Sequence, residues 1–228
     1  MASKPVAHVA IVDRSELTDQ EVAILVEGYR GEIEPFCKVW GLPPPGLAVY
    51  SKDHNQQIQE EAALFIVDSG NDPDAFGWHT ILGAACYGYI DVGLCRLYGE
   101  PVSRVFGHEL YELIADPDCD RWAGPYKDGS HVALEVCDPV QRNSRTKTVD
   151  DPILGKGDIE IADYVTPAWF DEGSMGPWSE QGNAPAALAI AEGGYVIREQ
   201  LGAVVSSAGR VKNFGRTFRR LAEGRTEE

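Results

Sequence analysis

The chain has 228 residues and a formal net charge of −16, with 36 acidic residues against 20 Lys and Arg residues. Its length suits one domain, and its content of 43% hydrophobic and 25% charged residues is typical of a globular protein. No apolar run approaches the roughly 18 residues that cross a membrane. The negative charge disfavours nucleic acid as a partner, because phosphate groups repel it. We therefore predict a globular protein without a membrane or nucleic-acid partner.

The N-terminal residues contain no apolar segment typical of a signal peptide, and the five cysteines include no CxxC pair. An odd number of cysteines without a signal peptide favours reduced thiols and a cytoplasmic location. The cysteine spacing excludes a Cys-rich zinc knuckle. Cys119 and Cys137 flank one loop, so a disulfide between them stays an open alternative.

Hydrophobic periodicity predicts an α+β chain. The predicted elements are a strand at 6–12, a helix at 21–40 capped by Thr18 or Asp19, strands at 47–50 and 62–68, one or two Gly-rich edge strands at 76–92, a helix at 103–115, and strands at 132–136 and 194–197. Apart from the strand at 132–136, residues 116–170 are predicted to be loop-rich.

No internal repeat or linker divides the chain, so we predict a single domain over residues 1–205. Residues 206–228 carry six basic and three acidic side chains and are predicted to form a basic C-terminal tail or short helix. A basic segment attached to an acidic body is suited to docking on an acidic partner.

The predicted helix at 103–115 carries the most informative pattern. On a helical projection His108, Glu109 and Glu112 lie within about 100° of one another, and apolar residues fill the opposite face. No Lys or Arg lies between His108 and Asp120, so nothing nearby offsets the repulsion between the carboxylates. The alternatives are a solvated polar face and a face that binds a divalent cation.

The spacing within this helix fits a metal site. His108 and Glu112, four residues apart, match the spacing with which one helix face supplies two ligands to zinc. Glu109 stands where a general base for a water molecule belongs. Asp116 precedes Pro117, which disfavours helical geometry, so the helix should end near Ala115.

The other histidines are predicted to have plainer roles. His79, between two polar or aromatic neighbours on a predicted strand, is expected to be structural or on the surface. His131 could approach the site from the strand that follows it. His8 and His54 are not predicted to be ligands.

Residues 108–112, with the sequence His-Glu-Leu-Tyr-Glu, resemble the HExxH helix of the zincin metallopeptidases, with Glu in place of the second His. They are more similar to a group of bacterial and phage proteins with an HExxE-xxx-Asp-Pro core. The further matching segments are Asp116-Pro117, Trp122, Glu135-Val136-Cys137-Asp138, residues 165–170 and residues 193–195. The resemblance follows the order of elements over residues 6–200, and only residues 108–138 are specific.

The resemblance implies a zincin-like α+β fold. Such a fold has a mixed sheet with an antiparallel edge, packed on a long backing helix and an active-site-type helix. Residues 20–40 suit the backing helix, 76–92 the edge strand and 103–115 the active-site helix, with a loop-rich C-terminal half after them.

The resemblance also implies a metal-dependent peptidase acting on a peptide or protein, with Zn²⁺ as cofactor. Its ligands would be His108, Glu112 and a third residue, and Glu109 would be the general base. The candidates for the third ligand are Asp138 and Glu135, which the resembling group carries, with Asp116 and Asp118 as competitors. Because a carboxylate replaces the second His, Ca²⁺ is an alternative. The alternative function is a non-enzymatic phage protein, virion-associated or active in assembly, on a degenerate zincin scaffold.

Overall fold

The computed structural model describes residues 5–52, 57–69, 75–83, 85–200 and 203–208. These residues form an α+β fold, as predicted. The helices are α1 (Asp19–Trp40), α2 (Val92–Tyr98) and α3 (Val102–Ala115). The strands are β1 (His8–Arg14), β2 (Gly46–Tyr50), β3 (Ala62–Val67), β4 (Gly77–Leu82), β5 (Ala85–Asp91), β6 (Trp122–Ala123), β7 (His131–Ala133), β8 (Ser144–Asp151), β9 (Gly155–Ala162), β10 (Tyr195–Gln200) and β11 (Ala203–Ala208). Short 3-10 helices span Asp138–Val140 and Pro167–Phe170.

The main sheet is mixed and has the strand order β2-β1-β3-β5-β4. Its first four strands are parallel to one another, and β4 pairs antiparallel with β5 at the edge. The Gly-rich segment at 76–92 therefore forms two strands, of which β4 lies at the edge and β5 lies inside the sheet.

β1 and α1 follow directly from the sequence pattern. Residues 9–12 of β1 are fully buried, as expected of a continuous apolar strand covered on both faces. At the start of α1, the hydroxyl of Thr18 accepts from the N–H of Glu21, and the Glu21 carboxylate accepts from the N–H of Thr18. This reciprocal capping box makes Thr18 the cap. Gly41 ends the helix in a left-handed conformation with φ of 65°.

Aromatic side chains join α1 to α3. The ring of Phe36 stacks on Tyr111 with centroids 4.5 Å apart, and Tyr29 meets Phe106 edge-on at 5.4 Å. The hydroxyl of Tyr29 also bonds to the backbone of β9. These contacts fix one side of α3, which positions the residues on its opposite side.

The C-terminal half contains more regular structure than the sequence analysis predicts. β8 and β9 form a regular hairpin within the segment predicted to be loop-rich, and α2 forms where the sequence pattern predicts no element. β8 contains one aliphatic residue, Val149, so it shows no apolar alternation. The hairpin acquires its buried face by packing Val149 and Ile159 against α1 near Gly28. The predicted strands at 132–136 and 194–197 correspond to β7 and β10 in a second sheet with the order β11-β10-β7-β6.

Residues 206–208 end β11, and the rest of the predicted basic tail, 209–228, lies outside the described residues. Among the described residues, no helix combines the length and the hydropathy that a membrane-spanning segment requires.

Candidate metal centre

Both sides of α3 are buried. One side packs on α1 and on the main sheet, as its apolar residues predict. The other carries His108, Glu109 and Glu112 together, also as predicted, but none of the three is more than 3% exposed. The alternative of a solvated polar face is therefore wrong.

Two other segments cover the polar side of α3. β4 contributes His79, and the segment after β7 contributes Glu135 and Asp138. No side chain of this set is more than 4% exposed. We call the set the buried cluster, and its members are His79, His108, Glu109, Glu112, Glu135 and Asp138.

On one side of the buried cluster, carboxylates surround His108. Its Nε2 lies 3.2 Å from Glu112 Oε2 and 3.3 Å from Asp138 Oδ1. The backbone N–H of Cys137 donates to Glu112 Oε1 at 3.1 Å, which fastens the covering segment to the helix. The predicted pair of helix residues thus meets Asp138, one of the two favoured candidates for third ligand.

On the other side, His79 takes part in the site. Its Nδ1 lies 3.3 Å from Glu109 Oε2 and 3.7 Å from Glu112 Oε2, and its Nε2 lies 3.8 Å from Glu135 Oε2. The alternative of a surface histidine is wrong, because His79 is buried. The alternation of side chains along β4 indicates which of its residues face inward. His79 lies on the same buried face as Gly77, and Gly77 lies against Glu109.

Two of the predicted ligand candidates lie outside the buried cluster. The carboxylate of Asp116 accepts the backbone N–H groups of Asp120 and Arg121, at 3.2 and 3.1 Å. Asp116 therefore stabilises the turn that follows α3. Asp118 Oδ1 lies 3.9 Å from Cys86 Sγ.

The remaining candidates are also elsewhere. His131 Nδ1 lies 3.9 Å from Glu199 Oε2, and His8 Nδ1 lies 3.8 Å from Glu61 Oε2, both at the protein surface. His54 lies outside the described residues. Cys119 and Cys137 are free thiols and form no disulfide.

Burial changes the ionisation of the carboxylates. It raises the pKa of Glu109 above the ordinary value against the opposing effect of His79 and His108. It raises the pKa of Asp138 well above the ordinary value, and the charge of Glu112 adds to that effect. Burial acts in the same direction on Glu112, but the two imidazoles outweigh it and lower the pKa of that carboxyl.

The imidazoles respond to the surrounding acids. Burial acts to lower the pKa of His108, but Glu112 and Asp138 raise it well above the ordinary value. Burial opposes protonation of His79 in the same way, and Cys119 with nearby carboxylates raises its pKa. If all four carboxyls were ionised, the buried cluster would carry an excess of two negative charges even with both imidazoles protonated, and the raised pKa values of Glu109 and Asp138 reflect this cost.

The side chains form two groups of ligand atoms close enough to hold a metal ion. One consists of His108, Glu112 and Cys137, and the other of His79, Glu109 and Glu112. Within each group the ligand atoms lie within 4.8 Å of one another. Glu112 belongs to both groups. Asp138 approaches the first group through its contact with His108.

Comparison with known protein families, with curated proteins and with solved structures gives no match. The functional argument therefore depends on the geometry and chemistry of the buried cluster.

Proposed function

We propose that this chain is a zincin-like metal-binding protein whose buried cluster holds a divalent cation. The observation that carries the proposal is the convergence of four carboxylates and two imidazoles in the protein interior. A buried charge is strongly unfavourable unless an opposite charge compensates for it. When its four carboxyls are ionised, the buried cluster holds at most two positive charges against four negative ones. A divalent cation provides the missing positive charge.

The contacts around His108 support a cation on that side. Two ligands bound to one tetrahedral zinc ion are about 3.4 Å apart, given bonds of about 2.1 Å. The contacts from His108 Nε2 to Glu112 and to Asp138, 3.2 and 3.3 Å, are close to this separation. His108 and Glu112 are therefore the proposed ligands, with Asp138 or Cys137 as the third. The hydrogen bond from the Cys137 N–H to Glu112 holds that ligand in place.

The types of ligand favour zinc. Ca²⁺ is bound by six to eight oxygen atoms, whereas imidazole nitrogen suits Zn²⁺ and other transition metals. The buried cluster offers two imidazoles beside its carboxylates, so Zn²⁺ is the proposed ion and Ca²⁺ the alternative.

The metal content of the purified chain tests this proposal. Protein prepared without a His-tag or chelator, loaded with Zn²⁺ and desalted, should retain at least one zinc ion per chain by mass spectrometry. Glu112→Gln should lose zinc, although its side-chain carbonyl can still accept the N–H of Cys137. The matched control is Glu27→Gln, which makes the same change at an exposed position of α1 and should retain zinc.

Absence of retained metal in the wild-type chain, or equal loss in both variants, would overturn the proposal. Two further variants identify the third ligand. If Asp138 is that ligand, Asp138→Asn weakens zinc binding more than Cys137→Ser does.

The first proposed activity is hydrolysis of a peptide bond. Glu109 follows His108 on α3 and packs against Gly77 of β4. β4 has a strand partner on one side only among the described residues, and such an edge can pair with an extended peptide. A cation in the cluster would polarise the substrate carbonyl. Glu109 would take a proton from the attacking water and pass it to the leaving amine as the C–N bond breaks.

The second candidate is a non-enzymatic role, such as a virion-associated or assembly protein on a degenerate zincin scaffold. The burial of the cluster favours it, because a catalytic site must admit its substrate. The cation would then stabilise the folded state. Docking of the basic segment 206–228 on an acidic partner belongs to this candidate.

Hydrolysis of an unfolded protein substrate such as casein distinguishes the two candidates. Activity of the zinc-loaded chain that is lost in Glu109→Gln and kept in Glu27→Gln supports a peptidase. A zinc-loaded wild-type chain that leaves the substrate intact supports the scaffold role.

A further inference from the structure

We infer that the buried cluster holds two cations, which share the carboxylate of Glu112. The second cation is bound by His79, Glu109 and Glu112, with Glu135 beside them. This inference rests on the proposed metal binding and extends it to a dinuclear centre, in which Glu109 is a ligand instead of the general base described above.

The first argument is geometric. His79 Nδ1 lies 3.3 Å from Glu109 Oε2 and 3.7 Å from Glu112 Oε2. Both distances are close to the separation of about 3.4 Å between two ligands on one tetrahedral zinc ion. The geometry that supports a cation beside His108 is thus repeated beside His79.

The position of Glu112 makes it the shared ligand. Its Oε2 faces His108 Nε2 at 3.2 Å and His79 Nδ1 at 3.7 Å. The two imidazoles fall into different groups of ligand atoms, and Glu112 is the member common to both. One imidazole is therefore available to each cation.

The second argument is charge balance. A histidine that ligates a metal is neutral at the nitrogen that binds, so the imidazoles contribute no positive charge in the loaded protein. When ionised, the four carboxyls carry four negative charges. One divalent cation leaves two of them uncompensated in the interior, whereas two divalent cations neutralise all four.

The third observation is the environment of His79 itself. This side chain is 4% exposed, and its Nε2 has no hydrogen-bond partner in the described structure. The carboxylate of Glu135 faces that nitrogen at 3.8 Å. When Nδ1 binds a cation, Nε2 carries the proton and can donate it toward Glu135, an arrangement that orients metal-bound imidazoles in general.

The number of bound zinc ions tests the inference. Titration of the metal-free chain with Zn²⁺ alone, followed by calorimetry and by metal analysis after desalting, should give two ions per chain. His79→Gln and His108→Gln should each reduce this number to one. Glu112→Gln should weaken both sites, and Glu27→Gln should leave two.

Glu109→Gln adds a further distinction. As a ligand of the second cation, Glu109 is needed for full loading, so its Gln variant should bind one zinc ion. A Glu109 that acts only as a proton acceptor would leave the number at two and would overturn its assignment as a ligand.

A measurement on the wild-type chain avoids variants that fail to fold. Two Mn²⁺ ions that share a carboxylate lie about 3.5–4 Å apart in known two-metal sites and are magnetically coupled. The electron paramagnetic resonance spectrum of the Mn²⁺-loaded chain should show this coupling. An uncoupled six-line spectrum with one ion per chain overturns the second site and leaves the proposed metal binding intact, whereas a chain that binds no ion overturns both.

Discussion

The two sides of α3 are equally buried but are stabilised in different ways. On one side, Phe106 and Tyr111 pack against aromatic rings of α1. On the other, His108 and Glu112 meet charged groups from distant segments. Packing of apolar rings responds to temperature and solvent composition but not to metal ions. The charged side, in contrast, depends on the cations that balance its charge. Burial alone therefore does not distinguish a structural helix face from a functional one.

The largest expected effect is on the apolar side. Phe106→Ala should lower the free energy of unfolding by about 3–5 kcal/mol, because it leaves a cavity beside Tyr29. Urea unfolding monitored by tryptophan fluorescence measures the loss, which should be the same with and without chelator. Leu97→Ala, at an exposed position of α2, is the control and should change stability by less than about 0.5 kcal/mol. A loss for Phe106→Ala that depends on metal would mean that the two sides are coupled.

Removal of metal should have an effect of comparable size and should act on the charged side alone. A ligand at 100 times its dissociation constant stabilises the native state by about 2.7 kcal/mol per independent site. Excess chelator should therefore lower the melting temperature of the wild-type chain. The melt of Glu112→Gln should respond far less to chelator. An unchanged wild-type melt at neutral pH would contradict a metal-stabilised cluster.

Tyr29→Phe should have an intermediate effect that leaves metal binding unchanged. The Tyr29 hydroxyl donates to the carbonyl of Glu160 and accepts from the N–H of Ala162, both at 2.9 Å. Loss of the hydroxyl leaves a buried backbone N–H without that acceptor, which destabilises by about 1–3 kcal/mol. Urea unfolding measures this change, and metal analysis of the same sample should show the wild-type content. A fall in metal content would show that the anchoring of α3 to β9 also shapes the charged side.

The same contrast explains what the sequence could predict. The hydrophobic periodicity of β1, α1 and α3 identifies these elements and distinguishes the apolar side of α3 from its polar side, because such patterns are local. They do not show whether a polar side is covered. The residues that cover it, His79 and Asp138, lie 29 residues before and 30 residues after His108.

The missed elements share a physical cause. β8 owes its position to pairing with β9 and to packing on α1, so its own polar sequence carries little signal. His79 looked ordinary because strand alternation shows only that it points inward. Asp138 and Glu135 were identified through resemblance to other sequences, and the competing Asp116 is used by the backbone of a turn. The sequence alone does not distinguish the roles of these three acidic residues, whereas their tertiary contacts do.

The smallest predicted effect on stability is at the start of α1, outside both sides of α3. Thr18→Ala removes the hydroxyl that accepts from the N–H of Glu21 and donates to its carboxylate. Loss of such a cap destabilises by about 1 kcal/mol. Urea unfolding at pH 7 should show this loss equally in metal-loaded and metal-free protein, and a metal-dependent loss would contradict the independence of the two regions.

The capping box should also weaken in acid, and the sign follows from its contacts. The backbone N–H and the hydroxyl of Thr18 both favour the charged carboxylate, so they lower the pKa of Glu21 in the folded chain. A lowered pKa contributes stability that is present above the unfolded value of about 4.3 and is lost as the pH falls through the folded value. The difference between wild type and Thr18→Ala should therefore shrink below about pH 4. It should not vanish, because the bond from the Glu21 N–H to the hydroxyl does not titrate. In a Glu21→Gln background the effect of Thr18→Ala should become independent of pH, since the titrating partner is gone.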